Sequence, residues 1–242
     1  MMIQIEKDPA KLGEVAAELF VKSAKAAIEA TGKFNVALTG GSSPKGLYGL
    51  LAEEKYKSQV DWEKVFVFWG DERWVSLDDE QSNAGMAYEM LLNHVPVPEG
   101  HIFPMWAAGI TPEARAQEYT GYLKKELGEE GVFDLILLGM GDDGHCASLF
   151  PGTAVLKEEN KWVEGYFLKS KDIHRITLTA PLINKAKKIV FFVFGDNKAA
   201  ALYEVLEGER NPTQYPSQMI QPIDGEVQWL VDEAAASKLK NV

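Results

Sequence analysis

The sequence predicts an α/β protein, with a doubly wound, mostly parallel sheet flanked by helices and a small antiparallel sheet around residues 160–180. Short apolar segments alternate with helical segments along the chain, and strands that are apolar on both faces are typical of a parallel sheet covered on both sides. The stretch from about 153 to 180 differs, because "KWVEGYFL" and "HRITLT" alternate apolar and polar residues as half-exposed antiparallel strands do. With 242 residues and 46% apolar composition, we expect a single domain over residues 1–242.

The individual elements follow from apolar periodicity and from capping residues. Asp8, Ser82 and Thr111 have side chains that cap helix N-termini, and Pro9 and Pro44 suit the first turn of a helix. In chain order the pattern predicts a helix from residue 8 to about 30, a strand at 34–39, a helix at 44–54, a strand at 65–70, a helix from 82 to about 93, a helix at 111–127, strands at 133–139 and 188–195, a helix at about 197–206 and a strand at 227–231.

Bulk composition excludes several classes of function. The formal charge is −11, whereas a nucleic-acid-binding protein needs a basic face, so we expect no nucleic-acid partner. The N-terminal stretch has no basic region followed by a long apolar one, and no apolar run approaches the ~18 residues of a membrane helix, so we expect neither a signal peptide nor a membrane partner. The single cysteine, Cys146, permits no internal disulfide and suits a cytoplasmic protein.

Four predicted core strands each run into a glycine and then a polar loop. In a parallel sheet these loops lie along one edge, where the ligands of open α/β sheets bind. This convergence predicts a ligand site more strongly than any one of the loops, which are Thr39–Pro44, Gly70–Arg73, Gly139–His145 and Gly195–Lys198.

The first loop and three basic residues are candidates for binding an anion. Gly41-Ser42-Ser43 precedes a helix, where backbone N–H groups and hydroxyls suit a phosphate, although a tight turn with a helix cap would use the same residues. Arg73 and Lys198 directly follow core strands, and Arg175 begins the segment "RITLT". Guanidinium and ammonium groups are suitable phosphate ligands, so these three are the expected cations of the site.

The third loop contains "GMGDDG" (139–144), which matches the dinucleotide-binding pattern G-x-G-x-x-G. Such a turn leads into a long helix, but Phe150-Pro151-Gly152 stops a helix here after one or two turns, and Asp142 and Asp143 would repel a pyrophosphate. A metal site is disfavoured as well, because one Asp-x-His pair supplies too few ligands. We therefore expect neither a metal nor a dinucleotide, and a nucleotide-binding titration would test the alternative of an oxidoreductase.

His145 differs from the other histidines of the chain, which are His94, His101 and His174. It lies in the glycine-rich loop at the expected ligand edge, two residues after Asp143. A carboxylate that orients an imidazole, and a neutral imidazole that takes a proton from water, form a general base near neutral pH. These residues predict a metal-free enzyme that acts on a small phosphorylated molecule, with His145 as its acid and base.

Several segments, in the order in which they occur, resemble the 6-phosphogluconolactonases: "LTGGSSP", "WGDERWV", "SNAGMAYEMLL", "FDLILLGMGDDGHCASLFPG", "RITLTAPLINKAKKIVFFVFG" and "GDNKAAAL". The resemblance covers about residues 34–208. It implies hydrolysis of 6-phospho-D-glucono-1,5-lactone to 6-phospho-D-gluconate, the second step of the oxidative pentose phosphate pathway, with no metal and no organic cofactor. It also implies His145 as the catalytic histidine, Arg73 at the substrate, phosphate-binding positions at Ser42, Ser43, Arg175 and Lys198, and further site candidates at Asp71, Asn83 and Asp143.

Glucosamine-6-phosphate deaminases share the fold and the phosphate loop of this family and are the first alternative. They resemble "DEY" where this chain has Asp71-Glu72-Arg73, and they carry a glutamate before the proline of the "DGH" segment, where this chain has Phe150. That glutamate supports the ring-opening histidine of a deaminase, so its absence favours a lactonase. The second alternative is a non-catalytic sugar-phosphate sensor. We expect a small-molecule partner, a phosphorylated sugar lactone, and a monomer or small homo-oligomer.

Overall fold

The computed structural model describes residues 2–241, which form a six-stranded sheet and a separate three-stranded sheet with helices around them. All neighbouring strands of the larger sheet are parallel, in the order β1-β9-β8-β5-β2-β3. The smaller sheet is antiparallel, in the order β4-β7-β6. The strands are β1 (Met2–Glu6), β2 (Phe34–Leu38), β3 (Val65–Trp69), β4 (Asp71–Arg73), β5 (Leu135–Gly139), β6 (Val163–Leu168), β7 (Ile173–Leu178), β8 (Lys188–Val193) and β9 (Glu226–Asp232).

Helices connect these strands and cover the parallel sheet. The predicted caps are in place: the side chains of Asp8, Ser82 and Thr111 accept backbone N–H groups of the first turns of three helices. The α-helices are α1 (Pro9–Thr31), α2 (Lys45–Ala52), α3 (Glu54–Lys57), α4 (Asn83–Met90), α5 (Pro112–Leu127), α6 (Ala180–Ile183), α7 (Ala199–Leu206) and α8 (Glu233–Ala236). Short 3₁₀ helices lie at Trp62–Lys64, Leu92–His94, Glu99–His101, Ala154–Lys157, Lys169–Lys171, Asp196–Lys198 and Pro216–Met219.

The strand order places the predicted ligand edge at a topological switch point. The chain leaves β2 toward β3 on one side of the sheet, whereas it leaves β5 toward β8 on the other side. The loops after β2 and β5 therefore diverge, which opens a crevice between them at the carboxyl ends of the strands. Both strands are buried along nearly their whole length, as the apolar segments predicted, and this anchors the two loops on rigid supports.

The expected small antiparallel sheet is confirmed at β6 and β7, but the polar stretch after Gly70 is not the loop that we predicted. Asp71–Arg73 forms β4 and pairs with β7, so that Asp71 lies opposite Thr177 and Arg73 opposite Arg175. Charged residues disfavour a strand when they are read alone. Here the free edge of β7 supplies hydrogen bonds to the segment, and this partner is distant in the sequence.

Three further elements differ from the sequence prediction. β1 was not predicted, because a five-residue strand near the N-terminus gains its pairing only from β9 at the other end of the chain. The helix predicted over residues 44–54 is interrupted at Glu53, whose backbone is extended. The helix predicted to start at about residue 197 begins as a 3₁₀ turn, and its α-helical part starts at Ala199. Between residues 2 and 241, no helix is both long enough and apolar enough to cross a membrane.

Candidate active site

A polar cavity of about 470 Å³ lies at the carboxyl edge of the parallel sheet, over the crevice between β2 and β5. Its wall comes mainly from the four predicted loops, with further residues from α4 and β7. Of the residues singled out in the sequence, the structure brings together at this cavity Gly41, Ser42, Ser43, Asp71, Arg73, Asn83, His145, Arg175 and Lys198. Asp143 does not line the cavity but contacts His145 from behind.

His145 and Asp143 form a hydrogen-bonded pair. Nδ1 of His145 lies 2.5 Å from Oδ1 of Asp143, and the backbone N–H of His145 donates to the same oxygen at 3.1 Å. Partial burial alone would raise the pKa of the Asp143 carboxyl, but the hydrogen bonds and the charge of His145 together lower it below its usual value. An ionised Asp143 accepts the proton of Nδ1, which leaves Nε2 as the ring nitrogen with a free lone pair.

The loop around this pair requires glycine at Gly141. A Cβ on Gly141 would overlap the His145 ring and would lie 2.6 Å from Oδ1 of Asp143. The backbone N–H of Gly141 also donates to the carbonyl of His145 at 2.8 Å, so the loop folds back on itself around the pair. Tyr215 and Ser217 support the loop from outside, because the Ser217 N–H donates to the Gly144 carbonyl and Tyr215 packs on Gly144.

Phe150 stacks on the imidazole of His145. The ring centroids are 3.9 Å apart with planes inclined by 25°, and the guanidinium of Arg175 lies over the same phenyl ring at 5.5 Å. Such contacts restrict both the ring of His145 and the head group of Arg175. The position that the sequence analysis expects to distinguish this chain from the deaminases thus lies in direct contact with the candidate catalytic histidine.

Asp71 is buried and its carboxylate is engaged by protein groups. The hydroxyl of Ser148 donates to Oδ2 at 2.6 Å, Nδ2 of Asn83 donates to Oδ1 at 3.3 Å, and Nη1 of Arg175 lies 3.6 Å from Oδ2. Ser148 also receives the hydroxyl proton of Tyr166 on its carbonyl. Asp71 therefore orients Asn83 and Arg175, and it ties the His145 loop to the small sheet through Ser148.

Two arginines present their head groups to the cavity with different support. Nη1 of Arg73 donates to the Gln81 carbonyl at 3.2 Å and to Oδ1 of Asn83. Arg175 is 8% exposed, its Nε has no protein hydrogen-bond partner, and burial lowers its pKa. Two cations at one cavity wall favour an anionic ligand, because Asp71 only partly neutralises Arg175 and the recorded partners of the Arg73 guanidinium are uncharged.

The loop after β2 and the turn after β8 close the remaining sides. Asn83 packs so closely on Gly40 that no Cβ fits there, while Ser42 is exposed and Ser43 and Lys198 are half-buried. Sequence reasoning missed Thr39, Met140, Ala147, Phe194 and Asn197 in the lining. Thr39, Met140 and Asn197 lie within the predicted loops, which was the available signal for them. Ala147 and Phe194 lie just outside those loops, and no sequence signal singled them out.

Three further features that the sequence analysis considered are the segment after the glycine-rich loop, Cys146 and the possible metal ligands. Residues 140–153 contain no helix, not even the one or two turns that Phe150-Pro151-Gly152 would permit, whereas a dinucleotide-binding turn leads into a long helix. Cys146 is fully buried, and burial raises the pKa of its thiol to about 12, which is unfavourable for a nucleophile. In the described part of the chain, no three His, Cys, Asp or Glu side chains are grouped in a way that could hold a metal ion.

A histidine–carboxylate pair beside a cationic pocket, at the switch point of a parallel sheet, is typical of an α/β enzyme for a small anionic substrate. A family model described as glucosamine-6-phosphate isomerases/6-phosphogluconolactonase matches residues 7–229. The chain belongs to this family.

Similar proteins support one activity within the family. The 6-phosphogluconolactonase of Synechocystis sp. is 44% identical over 219 residues, which cover 88% of each chain. That of Nostoc sp. is 38% identical over 242 residues, which cover 98% of each chain. The solved structure of 6-phosphogluconolactonase from Trypanosoma brucei matches with a TM-score of 0.86 at 27% identity, covering 99% of this chain and 98% of that one. These similarities support a 6-phosphogluconolactonase, a hydrolase of sugar-phosphate metabolism.

Proposed function

We propose that this protein hydrolyses 6-phospho-D-glucono-1,5-lactone to 6-phospho-D-gluconate, with His145 as general base, in the oxidative pentose phosphate pathway. The observation that carries the proposal is the His145–Asp143 pair, joined at 2.5 Å through Nδ1, with His145 lining a cavity that also contains two arginines and a lysine. The names of the similar proteins supply the substrate, and the pair supplies the chemistry that this substrate needs.

In the proposed mechanism, Nε2 of His145 removes a proton from a water molecule while Asp143 holds the proton on Nδ1. The hydroxide attacks C1 of the lactone, and the carbonyl electrons move to its oxygen. Arg73 or an N–H of the 139–145 loop stabilises this charge, which is usually the largest catalytic contribution. The intermediate collapses, the bond from C1 to the ring oxygen breaks, and His145 returns its proton to that oxygen. The resulting carboxylic acid then releases one proton to the solvent, which gives 6-phospho-D-gluconate.

The phosphate group is assigned to the loop after β2 and to cations of the cavity. Ser42 and Ser43 precede α2, and Arg175 and Lys198 enter from β7 and from the turn after β8. Binding at the phosphate, remote from C1, positions the ring and contributes to the rate of the chemical step. We propose Gly41 as part of the same phosphate loop, and Asp71 and Asn83 as residues that orient Arg175 and Arg73.

The His145→Ala variant tests the assignment, with His174→Ala as the matched control because His174 is exposed on β7, away from the cavity lining. Hydrolysis of freshly prepared lactone is followed by pH-stat, with the uncatalysed rate subtracted. We expect His145→Ala to lower kcat by ~10²–10⁴-fold, the range for general acid–base catalysis, and to keep affinity for 6-phosphogluconate in calorimetry. His174→Ala should retain the wild-type kcat.

The same assay separates the alternatives. A near-normal kcat in His145→Ala would contradict the proposed role of the histidine. Turnover of glucosamine 6-phosphate in place of the lactone would indicate a deaminase, and binding of 6-phosphogluconate without turnover of either compound would indicate a sensor. We also propose a cytoplasmic monomer or small homo-oligomer whose residues 1–242 act as one domain.

A further inference from the structure

Glu72 lies between two residues of the candidate site but on the other side of the strand. Asp71 and Arg73 line the cavity, and because side chains alternate along a strand, Glu72 of β4 points away from it. Its side chain is fully buried. A buried carboxylate is costly unless several donors satisfy it, so its contacts indicate what it is retained for.

The Glu72 carboxylate accepts four hydrogen bonds from two elements. Oε1 accepts the backbone N–H of Arg73 at 2.9 Å and of Asn83 at 2.8 Å. Oε2 accepts the N–H of Ala84 at 2.8 Å and the hydroxyl of Ser82 at 3.2 Å. One side chain thus joins the strand that carries Arg73 to the first turn of α4, which carries Asn83.

Side chains on the cavity side close this connection into a ring. The guanidinium of Arg73 donates to Oδ1 of Asn83 and to the Gln81 carbonyl, and Nδ2 of Asn83 donates to the Asp71 carbonyl at 2.9 Å. The separation of β4 and α4 therefore sets where the Arg73 head group can lie. Glu72 is the side chain that spans this separation from behind.

We propose that Glu72 is a positioning residue for the reaction, which fixes β4 against α4 so that Arg73 and Asn83 present a rigid pair of polar groups to the substrate. This inference rests on the proposed lactonase activity. The competing explanation is that the carboxylate stabilises the fold by capping α4, with no particular effect on the site.

Asp134, at the opposite edge of the parallel sheet, provides a matched control for Glu72. Asp134 is a buried carboxylate that accepts the N–H of Asn35 and the ammonium of Lys187, both at 2.8 Å. It directly precedes β5, so it lies at the amino edge of the parallel sheet, opposite the candidate site. Asp134→Asn should lower thermal stability and leave kcat and KM unchanged.

The test compares Glu72→Gln with Asp134→Asn in lactone hydrolysis at about pH 8, above the raised pKa of the Glu72 carboxyl, so that the wild-type carboxylate is ionised. Glutamine keeps Oε1 but turns an amide N–H₂ toward the N–H of Ala84, so β4 and α4 should separate. We expect kcat/KM to fall about tenfold or more in Glu72→Gln, within the range of coupling between contacting residues. In an Arg73→Ala background, the same substitution should lower kcat/KM by a clearly smaller factor, since only the contribution through Asn83 remains.

Several results overturn the inference. They are a wild-type kcat/KM in Glu72→Gln, a fall that is equally large with and without Arg73, and a fall that Asp134→Asn reproduces at equal loss of stability. If Glu72→Gln does not fold, Glu72→Asp replaces it in the same comparison, since one methylene fewer also breaks the span. If the wild type does not hydrolyse the lactone, the proposed function fails, and a crystal structure of the variant decides. An Arg73 guanidinium still 3.2 Å from the Gln81 carbonyl then overturns the positioning role, and a displaced one supports it.

Discussion

Replacing Glu72 with glutamine should change how the stability of the protein depends on pH. Burial raises the pKa of the Glu72 carboxyl from its usual 4.5 to about 7, and hydrogen bonds from Asn83 and Ala84 offset part of that rise. The native state therefore binds a proton between about pH 4.5 and pH 7 that the unfolded state has released. Stability from this group is full below pH 4.5 and is lost as the pH rises through 7.

The size of the effect follows from this pKa difference. A folded-state pKa that is higher than the unfolded-state pKa by about 2.5 corresponds to about 3 kcal/mol of unfolding free energy, because each pKa unit is worth about 1.36 kcal/mol. For a chain of this length, 1 kcal/mol changes Tm by roughly 2–4 °C, so the change in Tm is about 6–12 °C. Glutamine does not titrate, so the Tm of Glu72→Gln minus that of the wild type should increase by this amount between pH 4.5 and pH 8.

Thermal unfolding of both proteins, followed by circular dichroism at half-unit pH steps, measures this difference. All groups other than Glu72 contribute to both curves, and their titration cancels in the subtraction. A difference that stays constant within about 2 °C from pH 4.5 to pH 8, equivalent to less than about 1 kcal/mol, would refute the assigned environment of Glu72. So would a difference that decreases as the pH rises.

Two further predictions concern the His145 loop. Asp143→Asn removes the negative charge that accepts the Nδ1 proton of His145. Because hydrogen bonds to charged and to neutral groups differ by about 1–2 kcal/mol, kcat should fall roughly 5–30-fold with little change in KM. Steady-state kinetics measure this, and a fall in kcat below about twofold would contradict the prediction. Gly141→Ala places a methyl group against the His145 ring and should lower kcat by about 10²-fold or more in a folded protein. Gly121→Ala, in α5 with open space around it, is its control, and equal kcat values for the two variants would refute the steric argument.

Phe150 gives a physical reason for the choice between the two activities of the family. Its ring centroid lies 3.9 Å from that of His145, at the position where the sequence resemblance implies a glutamate in the deaminases. A phenyl ring packs against the imidazole but brings no charge, so the carboxylate that hydrogen-bonds to His145 is that of Asp143. One histidine with one carboxylate suits activation of water, which is what lactone hydrolysis requires.

Much of the architecture could be predicted because it depends on local signals. Long apolar runs such as β2 and β5 are buried on both faces wherever they pair, and the Asp8, Ser82 and Thr111 caps each satisfy an N–H group only three residues away. The glycine-plus-polar endings of four strands then predict a common ligand edge, because parallel strands share a direction. The pairing of His145 with Asp143 could also be predicted, because the two residues are only two positions apart.

Only the tertiary structure could decide what depends on residues distant along the chain. β1 exists because β9, more than two hundred residues later, supplies its hydrogen bonds, and β4 exists because β7 offers a free edge. The pairing of β4 with β7 turns Glu72 toward α4 and brings Arg175 beside Asp71. The Asp71 carboxylate therefore contacts the Arg175 guanidinium and does not stand free in the cavity. Residue types and local spacing thus determined the fold class and the candidate chemistry. The assignment of each polar group to a partner needed the three-dimensional packing, since burial and hydrogen-bond geometry are properties of the folded chain.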